Sequence, residues 1–104
     1  MTAPWKIAAF ALAAAASSAH AQDPSALYVR SLAATCASCH GTDGRTAAGA
    51  PLAPLAGMPR EYLVTQLKAF KAGTRPSTIM TQLAKGYTDP QIEQLATYFA
   101  AQKK

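Results

Sequence analysis

Beyond residue 21 the chain has little with which to build a sheet or a large core. Only four β-branched aliphatic residues remain there, Val29, Val64, Ile79 and Ile92. Strands favour such residues, so a sheet is excluded and an all-α fold is expected. Leu, Ile, Val and Phe together number 14 over residues 22–104, below the share of roughly one fifth at which burial of apolar surface becomes difficult. The high net charge that accompanies disorder is also missing, since nine Lys and Arg face five Asp and Glu over the same residues. Such a composition describes one small domain with a thin core. It rules out two domains, a membrane bundle and a large β-sandwich. The basic residues form no dense run and are not interleaved with aromatics, which removes the usual footprint of nucleic-acid binding. Domains of this size commonly need a disulfide, a metal or another staple.

The first 21 residues are alanine-rich and have the pattern of an address. Lys6 supplies a positive start, residues 7–16 are uncharged, and Ala19-His20-Ala21 fits the small-x-small cleavage rule. This is the pattern of a secretory signal peptide. The apolar run breaks at Ser17 and Ser18, short of the roughly 20 residues that a spanning helix needs, so no membrane anchor is expected after cleavage. The mature domain is expected over residues 22–104, exported to a bacterial periplasm, with Trp5 and His20 lost with the leader.

Three segments have helical character. Residues 25–36 carry Leu27, Tyr28, Leu32 and Cys36 at steps compatible with a helix. Residues 60–72 place Leu63, Leu67 and Phe70 on one face with Lys68 and Lys71 opposite, and Gly73 is a natural stop. In the last segment Thr88 and Gln91 have capping-box spacing and Pro90 suits a first turn. Ile92, Leu95, Ala96 and Phe99 follow at i, i+3, i+4 and i+7, and Lys103 and Lys104 suit the negative end of the helix dipole. Between the first two segments, residues 41–59 hold four glycines and three prolines. A free loop this long is unusual in so small a domain, so it is expected to wrap around something. Residues 73–87, containing Met80, are expected to form a second irregular stretch.

Cys36-Ala37-Ser38-Cys39-His40 is a C-x-x-C-H motif, the attachment signature of c-type haem. Two thiols three positions apart on a turn can form thioethers with the two vinyl groups of one porphyrin, and the adjacent imidazole then meets the iron from one face. Gly41 follows, where a side chain is expected to crowd the ring. Two other readings compete. A disulfide or dithiol site of thioredoxin type needs βαβ units, which the sequence does not supply. A closed zinc site needs four ligands, and two Cys and one His remain after residue 21. One covalently attached haem is the expected staple, with Cys36, Cys39 and His40 as its attachment residues.

His40 is the single histidine beyond the leader, so two histidines from one chain cannot ligate the iron. The sixth ligand is then a thioether, a lysine, a water or nothing. Met58 lies between Gly57 and Pro59, where gap-filling in the core is the plain alternative. Met80 lies between Ile79 and Leu83, which can pack on a haem, and is the expected ligand. The metal-binding pair is therefore expected to be His40 and Met80.

The order of helix, C-x-x-C-H, Gly/Pro loop, helix, Met segment and amphipathic helix resembles small class I cytochromes c along the whole mature chain. Leu55-Ala56-Gly57, Glu61-Tyr62-Leu63, Gln66-Leu67 and Phe70-Lys71 resemble the branch containing c4, c5 and c553-type proteins. Thr78-Ile79-Met80, Ala84-Lys85-Gly86-Tyr87 and Tyr98-Phe99-Ala100 resemble the cytochrome subunits of flavocytochrome c sulfide dehydrogenases. The resemblance implies a fold of three or more helices wrapped around one haem, with Leu95 and Tyr98 against the helix before Cys36. It implies a hydrogen bond from the His40 ring to a carbonyl in a Pro-x-Leu stretch. That stretch reads Ala53-Pro54-Leu55 here, which leaves the accepting carbonyl open. It also places Arg75 near a haem propionate.

Two strong axial ligands leave no open position for substrate. One-electron outer-sphere transfer is expected, with a thioether raising the potential relative to a second imidazole. The resemblance implies a flavoprotein partner that oxidises sulfide. The alternatives are a free carrier and a haem-based gas sensor. Lys68, Lys71, Arg75 and Lys85 are candidate contacts to an acidic redox partner, and plain solubility explains them equally well.

Overall fold

The structure, a computed structural model, describes residues 23–104; the expected leader, residues 1–21, lies outside them. Five helices follow in order: α1 (Pro24–Ala34), α2 (Ala37–His40), α3 (Arg60–Ala72), α4 (Met80–Lys85) and α5 (Asp89–Ala100). A single 3-10 turn, Thr42–Gly44, follows α2, and no strand occurs among the described residues.

Local sequence explains the well-defined ends. Asp23 caps α1 by accepting from Ser25 N–H at 3.0 Å, with Pro24 in the first turn. α3 runs over the expected residues and stops at Gly73, whose φ of 76° and ψ of 11° are left-handed. Thr88 and Gln91 form the reciprocal capping box that opens α5.

Packing follows the apolar spacing. Ile92, Leu95, Ala96 and Phe99 of α5 are all buried, as are Leu63 and Val64 of α3 and Ala33 of α1. Leu95, Ala96, Phe99, Leu63, Val64 and Ala33 form one cluster, with Leu32, Leu55, Met58 and Tyr98 against it. Helix α5 therefore stands between α1 and α3, and α4 packs on α3. Removing a Leu or Phe side chain from water contributes about 1.5–3 kcal/mol, so Leu95 and Phe99 carry much of this small core. α1 contributes less than its spacing suggests, because Leu27 and Tyr28 stay exposed and Ala33 is its one buried residue.

Three expectations are corrected. α1 ends at Ala34 rather than running into Cys36, and Thr35 and Cys36 form a turn before α2. The stretch 73–87 is not wholly irregular: Met80 is the first residue of α4. Lys103 and Lys104 lie beyond the last turn of α5, which ends at Ala100.

Candidate functional site

The Cys36–His40 segment is wound by its backbone. His40 N–H donates to Cys36 O at 2.9 Å and Gly41 N–H to Ala37 O at 2.9 Å. The winding sets Cys36, Cys39 and His40 along one short helical turn. Neither cysteine is in a disulfide; Cys36 is half-buried and Cys39 exposed. Burial pushes the Cys36 thiol above its ordinary pKa. A redox dithiol needs a lowered thiol pKa, so this environment is wrong for that chemistry. Among the described residues no three His, Cys, Asp or Glu side chains gather into a metal cluster. Neither alternative to haem attachment gains support here.

Gly41 serves the backbone at this point. Its φ is +82°, and a Cβ there would lie 1.9 Å from the Arg45 carbonyl oxygen. The chain must reverse tightly at this point to bring residues 42–56 back beside the histidine.

That return is built from main-chain bonds. The Gly44 carbonyl accepts from both Leu55 N–H, at 2.9 Å, and Ala56 N–H, at 3.1 Å. Gly57 N–H donates to Phe99 O at 2.9 Å, tying the same loop to α5. Thr46 donates its hydroxyl to His40 O at 3.3 Å. These bonds place the Ala53 carbonyl 2.8 Å from His40 Nδ1. A carbonyl only accepts, so Nδ1 carries the hydrogen and the lone pair lies on Nε2. The imidazole is thus held in the tautomer that a metal requires. The acceptor is Ala53 itself, the residue before Pro54, and neither Pro51 nor Pro54 supplies the carbonyl.

A polar clamp joins this loop to α5. Tyr98 O–H donates to Asp43, and Arg45 pairs with Asp43 at 3.4 Å while its Nε donates to Lys103 O at 3.0 Å. The bond from Tyr98 holds the Asp43 carboxyl below the usual range and pushes the Tyr98 phenol up. Asp43 is also the one described residue other than glycine with a positive φ, 54°. Its role was missed in the sequence, although an Asp-Gly pair is a turn signal. Thr46 and the Ala53 carbonyl were also missed; a backbone acceptor leaves no side-chain trace.

The two methionines differ in surroundings. Met58 is half-buried against the α1–α3–α5 cluster, as a packing residue should be. Met80 is half-buried at the start of α4, with Ile79 and Leu83 beside it 54% and 47% exposed. Leu52, in the 41–59 loop, is likewise exposed. The two segments expected to wrap a cofactor therefore present apolar side chains outward. Unbridged thiols at the right spacing, a correctly protonated imidazole and these apolar flanks fit a covalently attached haem.

Three candidate partner contacts are already engaged within the chain. Lys68 pairs with Glu93 at 2.8 Å and Lys71 with Asp89 at 2.9 Å. Arg75 bonds Gln66 and lies 4.5 Å above the Phe70 ring, a cation–π contact. Lys85, at the end of α4, has no ion pair among the described residues. No helix of the described residues is long and apolar enough to cross a membrane.

Comparison with known proteins agrees with this geometry. The family described as Cytochrome c matches residues 26–103. The cytochrome subunit of sulfide dehydrogenase from Chlorobaculum tepidum is 46% identical over 68 residues, covering 65% of this chain and 60% of that protein. Cytochrome c-554(548) from Halomonas halodenitrificans is 38% identical over 73 residues, covering 66% of this chain and 86% of that protein. The thiosulfate dehydrogenase electron acceptor of Thiomonas intermedia is 39% identical over 71 residues, covering 68% of this chain but 33% of that protein. The match thus spans less than two thirds of the sulfide dehydrogenase subunit and one third of the thiosulfate dehydrogenase acceptor. With its single attachment motif and its helical fold, the chain belongs to the cytochrome c family, electron-transfer proteins that carry covalently bound haem c.

Proposed function

We propose that this protein is an exported monohaem cytochrome in which Cys36 and Cys39 would form the thioethers and His40 and Met80 would hold the iron. Bound in this way, the haem supplies one-electron chemistry, cycling between ferric and ferrous iron. The chain's own residues attach it, orient His40 through Ala53, and cover it with the 41–59 and 73–87 segments. The observation that carries the reading is the 2.8 Å bond from His40 Nδ1 to Ala53 O, beside two cysteines that are not bonded to each other. A ring so held directs Nε2 to a metal and has no reason to be so held in a dithiol site.

Residues 1–21 act as the leader in this reading, and the periplasm is the destination. The partner is a redox protein. Similarity to a sulfide dehydrogenase subunit supports an electron-accepting role beside a sulfide-oxidising flavoprotein. Similarity to a thiosulfate dehydrogenase acceptor and to a cytochrome c-554(548) supports the second reading, a free carrier. Purification from the native source separates them: a flavoprotein that co-elutes with the red protein supports the subunit, and a lone red monomer supports the carrier.

Met80→Ala tests the ligand set. It should remove the weak red-edge absorption of thioether-ligated ferric haem and open the ferrous protein to carbon monoxide. An unchanged band shifts the assignment to Met58. Rapid carbon monoxide binding by the unaltered protein would favour a gas sensor instead.

A further inference from the structure

The stretch that leads into the Cys36 turn and the stretch that begins at Met80 meet at a direct side-chain bond. Tyr87 closes the α4 segment, its N–H donating to Ala84 O at 3.2 Å and its ring packing on the core cluster. Its Oη lies 2.7 Å from Thr35 Oγ1, across 52 residues of sequence. Thr35 gives its own hydroxyl hydrogen to Leu32 O at 2.7 Å. In the pair with Tyr87, the phenol therefore donates and Thr35 accepts. Thr35 directly precedes Cys36. Ile79 gives helix α4 no side-chain cap, so its start is held by Ser77 Oγ, which accepts from Thr81 N–H at 2.9 Å, and the helix buries one residue, Ala84. It takes its packing chiefly from α3. A six-residue helix with so little burial opens readily unless something at its end ties it down.

We propose that Tyr87 is a positioning residue for Met80: its phenol, donated to Thr35, clasps the segment that carries Met80 to the segment that carries Cys36. The inference rests on Met80 being the sixth ligand. Each opening of the α4 segment takes Met80 away from its place, and an added ligand captures that minor state at a rate set by its population. One net neutral hydrogen bond changes such a population about three- to tenfold.

The test uses the holoprotein. Tyr87→Phe keeps the ring and removes the donor, and Thr35→Val removes the acceptor. Carbon monoxide binding to the reduced protein should quicken about three- to tenfold in either variant. The red-edge band should be lost at a lower temperature. The double variant should do no more than the larger single change, because both break the same bond. Thr35→Ser, which keeps the acceptor, should restore the original rate. Leu95→Ala, destabilising in the helical core, is the control. If it quickens carbon monoxide binding as much as Tyr87→Phe does, general loosening explains the effect and the clasp is overturned. If Met80→Ala abolishes the band while Tyr87→Phe leaves the rate within a factor of two, the clasp alone fails. If Met80→Ala leaves the band in place, the ligand reading fails and the clasp goes with it.

Discussion

Helices α3 and α5 bury side chains against each other, whereas residues 36–59 and 73–87 bury almost none. In the first of those stretches only Gly44 and Ala56 are buried, and in the second only Ala84. The helices also share charge pairs, with Glu93 held by Arg60 and Lys68 and Asp89 held by Lys71. Beside the clamp at Asp43, the looped stretches rely on bonds to main-chain carbonyls: two into Gly44 O, one from Gly57 N–H to Phe99 O, one from the His40 ring to Ala53 O. Hydrogen bonds define a geometry but add little net stability, because water competes for the same groups. One region is therefore specified by side-chain packing, though its core is thin. The other is specified by its backbone and takes its stability from what it encloses.

The sharpest way to break this contrast is to remove the attachment. Cys36→Ser with Cys39→Ser should leave a largely unfolded apoprotein by far-UV circular dichroism, since four of the nine buried apolar residues are alanines and the core is too thin to hold alone. A helical apoprotein with a cooperative melt would mean that the packed region is self-sufficient. The next largest effect belongs to that region. Leu95→Ala in the holoprotein should cost about 2–5 kcal/mol in denaturant unfolding, because Leu95 is 1% exposed within the cluster. The red-edge band should persist at temperatures where the helices remain folded. Its early loss would show that the two regions are not separable.

The smallest effect comes from acid. Partner bonds hold the carboxyls of Asp43, Asp89 and Glu93 below their ordinary range, through Tyr98, Lys71 and Lys68 respectively. Groups with a depressed folded pKa contribute stability that is complete above the unfolded carboxylate value and is lost as pH falls through the folded one. The melting temperature of the holoprotein should therefore hold level from pH 7 to about 5 and decline below about 4. The decline should be shallow, because these pairs are exposed and screened. Tyr98→Phe should flatten part of it; an unaltered slope would detach Asp43 from the stability of the loop.

The same contrast explains what could be read from the residues alone. α3 was legible to its end and α5 from its start, because large apolar spacing agrees there with a terminal glycine in the first and a capping box in the second. α4 was not, since Ile79 offers no side-chain cap and the helix buries only Ala84. α1 was placed by its apolar spacing, but its buried face was misjudged. Ala33 carries the contact, and a search for large apolar residues passes over it. The C-x-x-C-H segment was legible because thiols and imidazole are rare and their spacing is specific. The partner of His40 was not, because any residue of the loop can offer a carbonyl.

That last point gives the histidine an insulated support. The oxygen that holds His40 belongs to the main chain, so no side-chain exchange at position 53 can delete it. What can disturb it is the angle of the peptide, and Pro54 restrains that angle by confining the residue before it to extended conformations. The site thus separates two kinds of heritable risk. Position 53 is free to drift, while position 54 governs where the carbonyl points. An engineer wishing to retune the imidazole without touching a ligand should leave Ala53 alone and work on Pro54.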